Sequence, residues 1–127
     1  MLGAAHAVEA EVEAKLNAIG LSAAKLAALR ALDEAGESLP LSELAGRLSC
    51  VKSNITQLVD RLESDGFVAR TPAPNDRRTT LAALTRAGRQ AVKDGVRAFE
   101  TAEREVLGRL SPGEVRQLRS LLKKVAP

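Results

Sequence analysis

The side chains best suited to chemistry are short polar and basic groups between positions 52 and 65. Apolar residues in this stretch recur at the i, i+3, i+4 and i+7 spacing that places them on one face of a helix. They are Ile55, Leu58, Val59 and Leu62. The opposite face would carry Lys52, Ser53, Asn54, Thr56, Gln57 and Arg61. Such groups form hydrogen bonds with base edges and phosphates, so this face is a candidate DNA-binding surface. An ordinary solvated helix face is the alternative.

A second basic group follows a segment of turn-forming residues at positions 71–76. These residues separate strand-compatible residues at 67–70 from others at 79–84, so we predict a β-hairpin with a long tip. Arg77 and Arg78 would lie at this tip beside Asp76. Arginine at a hairpin tip suits a narrow minor groove, where the negative potential is enhanced. The alternative is a turn whose charges simply meet water.

The scarcity of histidine and cysteine argues against catalysis. His6 and Cys50 are the single residues of their types, which argues against Ser/His/Asp, Cys/His and HExxH arrangements and excludes a four-cysteine zinc site within one chain. We therefore expect no enzyme activity, no metal and no cofactor. Cys50 precedes the polar helix, where its oxidation could disturb DNA contact, although a lone cysteine is more often a small buried apolar residue.

Composition favours duplex DNA as the partner. Phe67 and Phe99 are the only aromatic residues, too few for the base-stacking surfaces of single-strand binders. The net charge is +3, and residues 47–89 contain eight basic against four acidic side chains. A chance cluster on a solvated face would look the same from charge alone. No apolar run approaches the roughly 18 residues of a membrane span, and the acidic N-terminal segment is unlike a secretory signal, so we expect a cytoplasmic protein without membrane partners.

Hydrophobic periodicity and capping residues predict the elements that hold the two basic sites. The predicted elements before the hairpin are a helix at 4–19, a helix from the N-cap Ser22 to Ala35, an extended link at 39–41, a short helix capped by Ser42, a turn at 49–51 and the polar helix at 52–65. Those after it are a helix at 86–109 capped by Thr85 and a helix from a capping box at 111–114 to Val125. Gly66 ends the polar helix before the hairpin. The fold class is mainly α with a small β-hairpin wing, a winged helix-turn-helix.

The stretch from Leu39 to Arg89 resembles the core of the MarR family of bacterial transcriptional regulators. The residues that carry the resemblance are Ser53-Asn54-Ile55-Thr56, Val59-Asp60-Arg61-Leu62-Glu63, Gly66, Asp76-Arg77-Arg78 and Leu84-Thr85 leading to Gly88-Arg89. It is strong over residues 22–90, whereas the flanking helices match in placement only. The whole chain, 1–127, is then one domain, with a DNA-binding core at 22–90 and dimerisation helices at 4–19 and 86–125.

The resemblance implies a homodimeric regulator, with repression as the expected outcome. Each recognition helix, residues 52–65, would enter a major groove of a pseudo-palindromic operator, while the wing arginines enter minor grooves. Asp76 would orient an arginine, Arg78 being the first choice. In the family, a small phenolic or lipophilic effector, or thiol oxidation, often releases the operator.

The physical case for a dimer is independent of the resemblance. Residues 4–19 and 86–125 carry apolar stripes that a 70-residue core could not cover alone, so pairing two copies would bury about 2,000 Å² or more. The alternative is that these helices close over their own subunit. The alternative function is a winged-helix module that binds a protein partner and no DNA.

Overall fold

The computed structural model describes residues 2–49 and 52–125, which form six helices and three strands. In chain order these are α1 (Leu2–Asn17), α2 (Ala23–Ala35), β1 (Leu39–Pro40), α3 (Leu41–Arg47), α4 (Lys52–Ser64), β2 (Val68–Ala73), β3 (Asp76–Leu84), α5 (Arg86–Leu107) and α6 (Pro112–Val125). The strands make one antiparallel sheet in the order β1-β3-β2. This is the predicted winged helix-turn-helix. Within the described ranges, no helix is both long and apolar enough to span a membrane.

The core forms where the apolar faces of the helices meet the sheet. Its largest fully buried side chains are Leu16, Leu29, Leu44, Ile55, Val59, Leu62 and Val68. They come from α1, α2, α3, α4 and β2, so five elements share one apolar interior. Three of them lie on α4 at the predicted spacing, and Leu58 packs against them while partly buried. The apolar face of α4 is therefore confirmed.

Side-chain caps fix several helix ends as predicted. The hydroxyl of Ser22 accepts a hydrogen bond from the backbone N–H of Lys25 at 3.1 Å. Ser111 and Glu114 form a reciprocal capping box, in which each side chain accepts a bond from the other's backbone N–H. The box lowers the pKa of Glu114, chiefly through the hydrogen bond from the Ser111 backbone. One cap was not predicted: the carboxylate of Glu13 on α1 accepts a bond from the first N–H of α2, at Ala23, over 2.7 Å.

The prediction that Ser42 caps the third helix was wrong. Helix α3 begins at Leu41, and its N-cap is Pro40, which makes no side-chain cap bond. The reason is that the predicted extended link is a strand: Leu39 pairs with Ala82 and Pro40 with Leu81. The chain passes directly from this strand into the helix, so Ser42 already lies inside the first turn.

The predicted long tip of the hairpin was also wrong. Strand β2 continues through Pro72 to Ala73, and β3 begins at Asp76, which leaves a turn of only Pro74 and Asn75. Because β2 is an edge strand, it tolerates a proline without a backbone N–H, and the pairing shifts register between Pro72 and Ala73. We call the β2–β3 hairpin the wing.

Helix α5 begins against the backbone that follows α4, at a contact we call the junction. The Thr85 hydroxyl donates a hydrogen bond to the carbonyl of Gly66 at 2.6 Å and accepts one from the Gly88 N–H at 3.0 Å. The Thr85 N–H donates to the Phe67 carbonyl at 3.0 Å. A Cβ on Gly88 would lie 2.0 Å from that carbonyl oxygen, so only glycine allows this approach. The junction comprises Gly66, Phe67, Thr85 and Gly88.

We expect Gly88→Ala to lower the free energy of unfolding by about 3 kcal/mol or more, because the added methyl group must displace backbone. Gly46→Ala is the matched control. A Cβ there meets nothing within 4 Å, so alanine should stabilise α3 by about 0.5–1 kcal/mol through helix propensity. Urea denaturation measures both variants. Equal effects of the two substitutions would contradict the close packing at the junction.

Candidate nucleic-acid interface

The polar face of α4 is open to solvent because the opposite face is packed into the core. Asn54, Thr56, Gln57 and Arg61 are all exposed, while Ile55 on the same helix is fully buried. Lys52 and Ser53 belong to the first turn of α4, but their side chains lie outside the described part of the structure. Cys50 lies outside it altogether. The described members of the predicted face thus form one accessible polar surface.

The wing carries the second group of predicted residues at the start of β3. Arg77 and Arg78 are exposed and follow the turn directly. One carboxylate oxygen of Asp76 accepts a bond from the backbone N–H of Arg78 at 2.9 Å, and the other accepts from the Thr79 hydroxyl at 3.1 Å. Asp76 therefore holds the backbone that carries Arg78. An effect on the guanidinium itself stays a prediction.

Sequence reasoning missed an ion cluster that joins the wing to α4. The guanidinium of Arg70 on β2 lies 2.6 Å from the Asp60 carboxylate and 2.9 Å from that of Glu63, both on α4. The second Glu63 oxygen accepts the backbone N–H of Arg70 at 3.2 Å. Arg70 is one of the eight basic residues at 47–89 whose charge was expected to favour DNA. In the structure, that charge is paired with Asp60 and Glu63. The available signal was the i, i+3 spacing of the two acids before a glycine turn and an arginine.

The cluster changes the acidity of its members. Hydrogen bonds from the side chain and backbone of Arg70 lower the pKa of Glu63, and the bond to Glu63 raises the pKa of Arg70. Both charges are therefore held at neutral pH. Within the described ranges, the Arg70 cluster included, no three His, Cys, Asp or Glu residues are grouped closely enough to hold a metal ion.

Fold and surface together define a class of protein. A three-helix core whose α4 presents a polar face, followed by an arginine-bearing wing, is the arrangement of winged helix-turn-helix DNA-binding proteins. The family model described as MarR family matches residues 21–80. The chain is 30% identical to an HTH-type transcriptional repressor of Mycobacterium tuberculosis, over 91% of this chain and 82% of the relative.

Comparison with solved structures also identifies MarR proteins as similar. The reduced form of MarR from E. coli superposes with a TM-score of 0.85 at 30% identity, covering 98% of this chain and 91% of that one. A cysteine-to-serine mutant of the same protein, complexed with operator DNA, gives a TM-score of 0.77 at 29% identity, covering 98% and 89%. This chain belongs to the MarR family. It is a transcriptional regulator of that family and not an enzyme.

We expect the Arg70 cluster to make stability depend on pH in the acid range. Since the pKa of Glu63 is lowered on folding, the unfolded chain binds more protons there, and the contribution is complete at neutral pH but lost as pH falls through the lowered pKa. Between pH 7 and about pH 3, unfolding free energy should fall more steeply for the natural protein than for Glu63→Gln. Urea denaturation at stepped pH measures the difference. Parallel profiles would show that the cluster adds no pH-dependent stability.

Proposed function

We propose that this protein is a sequence-specific repressor that binds a pseudo-palindromic operator in double-stranded DNA as a homodimer. The observation that carries the proposal is the exposed polar face of α4, backed by fully buried Ile55, Val59 and Leu62. Two relatives support it: the E. coli MarR mutant complexed with operator DNA and the mycobacterial protein named a transcriptional repressor.

Each group of polar residues has a role that follows from its chemistry. Amide side chains such as Asn54 and Gln57 pair with base edges in the major groove, and Thr56 can contact either bases or backbone. Lys52, Ser53 and Arg61 suit phosphates on either side of the groove. Arg77 and Arg78, on the exposed start of β3, suit the minor groove beside it.

Unburied apolar side chains support the homodimer. On α6, Leu121 is 51% exposed, Leu122 58% and Val125 81%, and no residue of this helix is buried. Val8, Ile19 and Phe99 add partly exposed apolar area on or next to α1 and α5. Lys15 on α1 pairs with Glu105 on α5 at 3.1 Å, and Glu11 on α1 pairs with Arg109 in the turn that follows α5, so α1 and the end of α5 present one surface. Large apolar side chains exposed together on one helix are typical of an interface.

A two-fold dimer explains how a small chain could read a long site. Two copies related by a two-fold axis would place their α4 helices in successive major grooves about 34 Å apart, which is one turn of B-DNA. The operator would then mirror the symmetry of the protein. Release by a small effector, and any redox role of Cys50, stay predictions of the family resemblance.

Arg78→Ala should weaken binding to every duplex and reduce the salt dependence, because a charge facing DNA is lost. Asn54→Ala should instead cost about 1–3 kcal/mol at particular base pairs and leave the salt dependence nearly unchanged. Operators are obtained by selecting bound fragments from random duplexes, and mobility shifts at several salt concentrations measure both variants.

Arg30→Ala removes the same charge from an exposed position of α2, which belongs neither to the proposed DNA-binding surface nor to the proposed dimer surface, and serves as the control for Arg78. If all three variants lose affinity equally on all sequences, the division into base-reading and charge-supplying residues is wrong. If the natural protein ignores duplex DNA even at low salt, the protein-binding alternative replaces the proposal.

Leu121→Glu should convert the dimer to a monomer, because it buries a carboxylate in the apolar interface. Ser120→Glu is the matched control, since it adds the same charge to the neighbouring residue on the polar side of α6. Sedimentation equilibrium gives the mass of each. A monomeric natural protein, or a control that dissociates as readily as Leu121→Glu, would refute this interface.

A further inference from the structure

The two proposed DNA-reading parts of one subunit are α4 and the wing, and α4 contacts β2 of the wing directly. Residues 65–67 connect them covalently, and Val68 at the start of the wing is buried with Leu62 in the core. Further along the wing, the Arg70 cluster is the polar bridge between the two elements.

The geometry of this bridge is restrictive. Asp60 and Glu63 are one helical turn apart, and the planar guanidinium of Arg70 lies against both carboxylates. Glu63 also accepts the backbone N–H of Arg70, so the contact engages the strand itself and not only a flexible side chain. Rotation of α4 relative to β2 would break several hydrogen bonds at once.

We propose that Arg70 is a positioning residue that, through Asp60 and Glu63, fixes the angle between α4 and the wing so that both engage DNA together. The proposal rests on the function proposed above. Two linked contacts reinforce each other only when the geometry allows both at once. A wing free to change its angle would therefore lose the gain from simultaneous engagement, and the loss would be larger on the operator than on random sequence.

A purely electrostatic role predicts the opposite outcome. Asp60 and Glu63 are exposed acids on the helix that faces DNA, and their charges repel phosphates. Removing one of them should strengthen binding to any duplex. If the acids position the wing through Arg70, removing one should instead reduce the preference for the operator, even while general affinity rises.

The test compares Glu63→Gln with Glu43→Gln, each of which removes one carboxylate paired with an arginine. Glu43 pairs with Arg47 within α3 at 3.2 Å and joins no two elements. We expect both variants to bind random duplex at least as tightly as the natural protein. The ratio of operator to random affinity should fall about tenfold for Glu63→Gln and stay unchanged for Glu43→Gln. Circular dichroism confirms that both variants are folded.

Two further variants test whether the affinity ratio depends on the geometry of the Arg70 cluster and not only on its charge. Arg70→Lys retains the charge but cannot contact both carboxylates through a planar fork, so its affinity ratio should be intermediate. The exchange Glu63→Arg with Arg70→Glu leaves the net charge unchanged and should recover part of the ratio lost in Glu63→Gln.

The possible outcomes distinguish failure of the proposed function from failure of the positioning role of Arg70. A natural protein without duplex binding overturns the proposed function and this inference with it. A natural protein that binds its operator, together with an unchanged ratio in Glu63→Gln, overturns the positioning role alone. An equal loss in Glu43→Gln does the same, because it would assign the effect to charge and not to the bridge.

Discussion

The architecture depends on the backbone contact between the first turn of α5 and the chain leaving α4. At this junction the Phe67 carbonyl faces a glycine, Gly88, and the Thr85 hydroxyl reaches the Gly66 carbonyl. The end of α4, the start of β2, the end of β3 and the start of α5 all meet there. A close-packed contact between backbones leaves little room for adjustment, so the junction restricts how α4 and the wing can be oriented relative to α5.

From the junction, α5 runs for 22 residues, about 33 Å, toward the surface that we assign to the second subunit. It packs on α1 and α2 along the way. At Gly95, an added Cβ would lie 2.6 Å from a methyl carbon of Leu26, so α5 also approaches α2 closely. The helix therefore links the proposed dimer contact to the position of α4. Any change in how two subunits meet would alter the spacing of their DNA-facing surfaces.

Local sequence rules predicted the parts of the fold that are determined locally. The spacing of Ile55, Val59 and Leu62 gave the orientation of α4, and the caps at Ser22, Thr85 and Ser111 gave the starts of three helices, because these signals act within four residues. The exposed polar face followed from the buried one. The base-contacting roles proposed for its residues could not be derived in the same way, because they depend on the geometry of bound DNA.

The errors share a cause: each depends on contacts between different elements of the fold. Leu39 and Pro40 form a strand only because β3 lies beside them, more than forty residues later. Pro72 continues a strand because that strand lies at the edge of the sheet, a fact absent from the local composition. Likewise Arg70 reads as a free cation until the fold brings Asp60 and Glu63 against it.

The exposed apolar side chains of α6 have a consequence for the cellular concentration that this protein needs. If two subunits pair through α6 as proposed, the folding of this 14-residue helix, which has no buried side chains in one subunit, would be coupled to that pairing. At low copy number, unpaired α6 helices would fray and expose Leu121 and Leu122 to proteases and chaperones. Abundance would then act as a threshold, below which the chain is degraded before it assembles.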